Sequence, residues 1–163
     1  MVASIREACN ACGVAFVFLP EIEKIHVSGA TFWLNDNCAL IVQSGRHKDD
    51  GHFWFTFFHE ARHVLQGKQK KEWRIEGIGI EDALERDADR FAADFLVSAA
   101  RLKALRAQNA GKMPVEAVKG LAAELGVAPG IIAGSLMHTK TWLPFVANKL
   151  LRRFTAEEML PEQ

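Results

Sequence analysis

The sequence predicts an α+β fold: a small, mostly antiparallel sheet packed on a motif-bearing helix, followed by a C-terminal bundle of helices. Three observations carry that expectation. Short runs of β-branched and aromatic residues alternate with turn residues in the first third of the chain. The stretch Phe55-Thr-Phe-Phe-His59-Glu60-Ala-Arg-His63-Val-Leu-Gln-Gly67 sets His-Glu-x-x-His in an apolar run of helical character. Beyond residue 80, apolar residues recur at helical spacing almost to the end.

In chain order, residues 4–12 read as a first helix closed by Gly13. It carries Cys9 and Cys12, one turn apart. Only Cys38 adds a third thiol, so an odd count of three speaks against a disulfide framework, and the pair reads as core packing. Residues 14–19, ended by Pro20, and residues 30–34 and 39–43 read as three strands. Asn35-Asp-Asn37 is turn material, so the last two form a hairpin. The strand at 39–43 is expected at the sheet edge, where an extended peptide can add. The motif helix follows. Residues 67–80, with Lys68, Lys70, Lys71 and Arg74, read as a loop. A second charged helix runs to about Val97, then come helices over 99–107 and 115–125, broken by Gly111-Lys-Met-Pro114. Residues 121–133 have the small-residue spacing of a helix-turn-helix. The segment 129–137 carries no Arg, Lys, Asn or Gln for base edges, so it reads as packing. At 163 residues the chain is expected to form a single domain. Within it, 1–97 holds the sheet and two site helices, 98–154 a helical subdomain and 155–163 a tail.

The chemistry lies in the motif. Positions i and i+4 share a helix face, so His59 and His63 can reach one metal ion, and Glu60 beside them can take a proton from water. Burying two imidazoles and a carboxylate among Phe53, Trp54, Phe55, Phe57 and Phe58 is costly without partners, and a metal satisfies all three. A catalytic zinc needs a third protein ligand. Glu85 is the candidate, with Asp89 one turn on, placed to accept a hydrogen bond from the far nitrogen of a ligand histidine and so fix its tautomer. Asp87 is the alternative ligand. Glu81, Asp82 and Asp94 read as a solvated face.

Other residues extend the pattern. His59-Glu-Ala-Arg-His63 followed by Glu85-Arg-Asp-Ala88-Asp89-Arg-Phe91-Ala92 resembles the ImmA/IrrE family of zinc metallopeptidases. Gly29-Ala-Thr-Phe-Trp33-Leu, Asp49-Asp50-Gly-His52-Phe53-Trp54-Phe55 and the segment Leu125 to His138 resemble further family segments. The resemblance implies a zincin-like helix, one zinc ion, and cleavage or regulation of repressors or antitoxins, often by a domain fused behind a helix-turn-helix module. The chain departs from the family at Phe32 and Ser135, where an arginine is usual, and at Phe95-Leu-Val97-Ser. With no tyrosine in the chain, the donor to a developing oxyanion must come from His138, Arg46 or His52, of which His138 is favoured. The expected function is a zinc endopeptidase of narrow substrate range. The competing reading is a domain that holds zinc without hydrolysis, as a sensor or the protein-binding half of a regulator.

Bulk properties add limits. Net charge is zero, so electrostatics gives no reason to expect nucleic-acid binding. No apolar stretch approaches membrane-spanning length and no signal-peptide pattern opens the chain, so a cytoplasmic location is expected.

Overall fold

The computed structural model describes residues 1–20, 27–67, 74–75, 83–138, 140–142, 144–155 and 158. Helix α1 (Val2–Ala11) starts the chain. Its inward stripe runs Val2, Ile5, Cys9 at helical spacing, and Cys9 packs on the core. Cys12 would come next, but the helix ends at Ala11 and Gly13 turns the chain with φ 75°. Cys12 is therefore exposed, which corrects the expectation that both thiols are buried.

Strands β1 (Val14–Leu19), β2 (Gly29–Asn35), β3 (Cys38–Ser44) and the two-residue β4 (Arg74–Ile75) form one sheet in the order β1-β3-β2-β4. The β2–β3 hairpin forms where expected, its turn closed by the Asn37 N–H donating to the Asn35 side chain at 2.9 Å. The sheet is mixed: β2 pairs antiparallel with β3 and with β4, and β1 pairs parallel to β3. That pairing also overturns the edge assignment of residues 39–43: β3 has a partner on each side, and Ala39 and Ile41 are buried. The basic residues Lys68, Lys70 and Lys71 of the expected loop, and Glu81 and Asp82, lie outside the described residues, and so does most of the expected tail.

Helix α2 (Asp50–Leu65) lies between two apolar clusters. On the sheet side, Phe53 joins Val2, Ile5, Phe16, Phe18, Ile41 and Phe154. On the other side stand α3 (Ala83–Leu96), α4 (Ala99–Gln108), α5 (Val115–Leu125), α6 (Pro129–His138) and the short α7 (Pro144–Ala147). Their shared core centres on Val118, Leu121, Ile132, Leu136 and Trp142. Gly126, at φ 68°, makes the turn from α5 into α6. The segment read as packing is buried at Gly130, Ile132, Ala133, Gly134, Ser135 and Leu136. No single described helix is long and apolar enough to cross a membrane.

Two glycine contacts set how closely α6 approaches α2. A Cβ on Gly134 would stand 2.6 Å from the Gly51 Cα, and one on Gly130 would stand 2.1 Å from the Asp50 carboxylate. Backbone meets backbone at Gly134, so no side chain can swing away. Gly134→Ala is expected to cost about 1–3 kcal/mol of stability by overpacking, read from denaturant unfolding. An unchanged midpoint would mean that the helices separate without cost.

The start of α2 is pinned by Asp49. Its side chain accepts from the His52 backbone N–H at 2.9 Å and from His52 Nδ1 at 2.8 Å. Burial works against this carboxylate's charge, but the hydrogen bonds from His52 prevail and hold it below the usual carboxylate range. A depressed folded value contributes stability that is complete above the unfolded value and is lost as pH falls through the folded one. Asp49→Ala is therefore expected to cost about 1 kcal/mol at pH 6. The gap to the wild type should narrow below about pH 4. Thermal unfolding across that range checks it, and a gap that widens in acid would refute the pairing.

Candidate metal centre

The motif histidines point away from solvent: His59, Glu60 and His63 are 2%, 1% and 4% exposed, which places their chemistry inside the fold. Helix α3 crosses beside them. Its contact face is made of Ala88 and Ala92, both fully buried, and these small side chains let the backbones approach. On the same helix, Glu85 and Asp89 stand one turn apart and both reach the histidines. The Glu85 carboxylate lies 3.2 Å from His59 Nε2 and 3.3 Å from His63 Nε2. Asp89 Oδ1 lies 2.9 Å from His59 Nδ1.

The hydrogen bonds decide the tautomers. A carboxylate only accepts, so His59 carries its proton on Nδ1. His63 Nδ1 lies 2.8 Å from Gln66 Oε1. The Gln66 amide nitrogen donates elsewhere, to the Leu84 carbonyl at 2.9 Å and to Asp87 at 3.1 Å. Its oxygen is thus the atom turned toward His63, whose Nδ1 also carries the proton. The two Nε2 atoms then face one point, 3.1 Å apart, opposite the Glu85 carboxylate. Electron-pair donors this close repel one another, and a cation among them turns that repulsion into bonds. The donor set therefore fits a metal ion. His59, His63 and Glu85 are the group among the described residues whose ligand atoms gather within 4.8 Å of one another.

Asp87, the alternative ligand, is committed to a different task. It accepts from Arg62 Nε at 2.7 Å, from Gln66, and from Arg90 at 3.0 Å, tying α2 to α3. Those hydrogen bonds hold its carboxyl down at about 2. Asp94 accepts from the Ala99 N–H at the start of α4.

Glu60 faces the sheet. Thr31 on β2 donates its hydroxyl to Glu60 Oε2 at 2.5 Å. Directly below, a Cβ on Gly29 would come within 2.6 Å of Glu60 Oε1, so only glycine leaves the carboxylate its place. Gln66, Thr31 and Gly29 were not singled out for these contacts by the sequence. Gln66 was detectable from its position one turn after His63. Thr31 and Gly29 meet Glu60 only through the packing of sheet on helix.

His138 ends α6 beside the cluster. Its ring stacks on Phe55 at 3.7 Å between centroids, and its Nε2 stands 3.5 Å from Asp89 Oδ1. Burial opposes the Asp89 charge, yet hydrogen bonds from His138 and His59 outweigh it and hold the carboxyl well below the usual range. Arg46 lies in the connection between β3 and α2, and His52 lies in the first turn of α2, where it stacks on His47 at 3.9 Å. Neither belongs to the His–His–Glu group.

Against this geometry, the profile of the peptidase M78 family, described as the IrrE N-terminal-like domain, matches residues 10–137. The chain belongs to this family. The matched region runs from the end of α1 through α6 and takes in every residue of the His–His–Glu group. No curated protein matches the chain. Membership supports a metallopeptidase, and the convergent donors on α2 and α3 supply a place for its metal.

Departures from the family pattern fall on both sides of α2. Ser135 is fully buried in α6, and Val97 is buried in the C-terminal core. Phe95 is 60% exposed, its ring tilted against Phe58 and Phe91, and so leaves an apolar surface beside the site helices.

Proposed function

We propose that the protein is a zinc-dependent endopeptidase, acting in the cytoplasm on a narrow protein substrate such as a repressor or antitoxin. One observation carries the reading: two buried Nε2 lone pairs and a carboxylate converge beside a buried glutamate that is not part of their group. The two-nitrogen, one-oxygen donor set is that of catalytic zinc. The arrangement of α2 supports a zincin-like helix, and α4 to α7 support a C-terminal helical bundle behind it.

His59, His63 and Glu85 would hold the ion, while Asp89 and Gln66 keep both imidazoles in the ligating tautomer. When bound, zinc supplies Lewis acidity, polarising the scissile carbonyl and making water acidic near neutral pH. Glu60 is the general base. Thr31 fixes its Oε2, and Oε1, lying over the space that Gly29 leaves, takes the proton from the attacking water and passes it to the leaving amine. His138, held at its Nε2 by Asp89 and partly exposed, is assigned as the donor that steadies the carbonyl oxygen as charge develops.

Incubation with a repressor or antitoxin encoded beside the gene tests the reading. Cleavage is expected with zinc-loaded protein and should stop with chelator. Binding of that partner without cleavage, equal with and without Glu60, would favour a zinc-holding sensor instead.

A further inference from the structure

The end of α1 carries chemistry that the metal centre does not use. Helix α1 stops at Ala11, and two successive i→i+3 hydrogen bonds tighten the turn that follows. The Cys12 N–H donates to the Cys9 carbonyl at 2.9 Å, and the Gly13 N–H to the Asn10 carbonyl at 3.1 Å. In such a 3₁₀ turn, side chains three residues apart eclipse one another. Cys9 and Cys12 therefore share one side of the turn. Helical Cβ atoms at this spacing stand roughly 5–6 Å apart, and a disulfide needs about 4 Å. Cys12, with φ −107° and ψ 11°, is already outside the helix, so the remaining closure falls on a residue that no helical geometry holds.

The two thiols differ in setting. Cys9 is half-buried against the cluster of Val2, Ile5 and Phe16. Burial, and then Cys12 beside it, pushes the Cys9 thiol up. Cys12 is exposed. Packing accounts for Cys9 but not for Cys12, because a thiol in solvent buries nothing. An accessible thiol beside a shielded one is the arrangement in which the first meets an oxidant and the second resolves it.

Cys38 is the rival partner. The Ala39 N–H donates to the Gly13 carbonyl at 3.2 Å, which sets the start of β3 against the end of α1. Along β3, however, Ala39, Ile41 and Gln43 are buried in alternation, with Ile41 in the cluster that Cys9 packs on. Cys38 is thus on the other face of the sheet, its Sγ 3.7 Å from the Ala39 carbonyl. Among the described residues the three thiols do not gather as a group of metal ligands.

We propose that Cys9 and Cys12 are a redox-active dithiol that closes to a disulfide when the chain meets a hydroperoxide. The Cys12 sulfur attacks a peroxide oxygen. An S–O bond forms, the O–O bond breaks, and the departing hydroxide takes the thiol proton and leaves as water. The Cys9 sulfur then attacks the Cys12 sulfenic acid. The S–S bond forms, the S–O bond breaks, and hydroxide leaves with the Cys9 proton as a second water. Two thiols lose two electrons, and one hydrogen peroxide is reduced to two waters. Where cellular reductants keep thiols free, the bond lasts only while peroxide is present.

The zinc-loaded full chain, treated with rising doses of hydrogen peroxide, alkylated and digested with trypsin, tests this. Arg6 and Lys24 flank both cysteines of the pair, which share peptide 7–24, whereas Cys38 falls in peptide 25–46. Peptide 7–24 is expected to lose two hydrogens while Cys38 is still alkylated, and dithiothreitol should restore both thiols. Cys9→Ser should stop at a sulfenic acid on Cys12, trapped by dimedone. Cys12→Ser, a change at an exposed position, should leave Cys9 alkylatable at the same dose. Zinc content should be equal before and after treatment. A cross-link between the two peptides, sulfinic acid on Cys12 with Cys9 still alkylatable, or three intact thiols at every dose would overturn the proposal. So would Cys9 oxidised equally in wild type and Cys12→Ser. An additional zinc ion per chain, released by peroxide, would make the pair metal ligands instead.

Discussion

Glu60→Gln is expected to keep its zinc and lose about 100- to 10,000-fold in kcat, the usual contribution of a positioned acid–base group. Metal should stay because Glu60 is outside the His59, His63 and Glu85 group. Shape should stay because the glutamine oxygen can still accept from Thr31, which donates at 2.5 Å. What disappears is the ability to accept and return a proton. Metal content by elemental analysis and turnover on the cleaved partner, measured side by side, decide the matter. Turnover near the wild-type rate would remove Glu60 from the proton path. Loss of zinc would mean that Glu60 supports the ligands.

Glu85→Ala should abolish tight zinc binding, since one of three ligands goes and two facing imidazoles remain. Asp89→Ala is the finer probe. Removing a carboxylate that fixes a ligand histidine typically weakens metal affinity about 10- to 100-fold. Here it also releases His138, so activity is expected to fall further than zinc occupancy alone would account for. Competition with a chromophoric chelator gives the affinity, and kcat measured at saturating zinc gives the remainder. Unchanged zinc affinity in Asp89→Ala would show that His59 keeps its tautomer without help.

The local part of the site could be read from the sequence because helical spacing is a local rule. His59 with His63, and Glu85 with Asp89, are each one turn apart, and an apolar run told which faces turn inward. Gln66 follows the same rule, one turn past His63. The sheet was harder. Turn residues announced the β2–β3 hairpin, but nothing in residues 14–19 says which strand they will join or in which direction. β1 therefore took the flank of β3 that had been expected to stay open, and it runs parallel. Thr31 and Gly29 belong to the same class of contact. They meet Glu60 across 29 and 31 residues of chain, and only the packed sheet brings them there. Cys12 shows the opposite limit: its spacing was correct for burial, but the helix ended first.

The Asp89 carboxylate answers to two histidines on two helices, His59 of α2 and His138 at the end of α6. Charge drawn toward one ring is charge withdrawn from the other. Filling the metal position makes His59 a stronger donor to Asp89 and so alters the hold on His138, 79 residues further along the chain. Reciprocity then requires that whatever repositions the end of α6 also retunes the affinity for metal. A peptide settling against Phe55 and His138 would do this, and a bound peptide and a bound metal ion would then report on each other through a single oxygen atom.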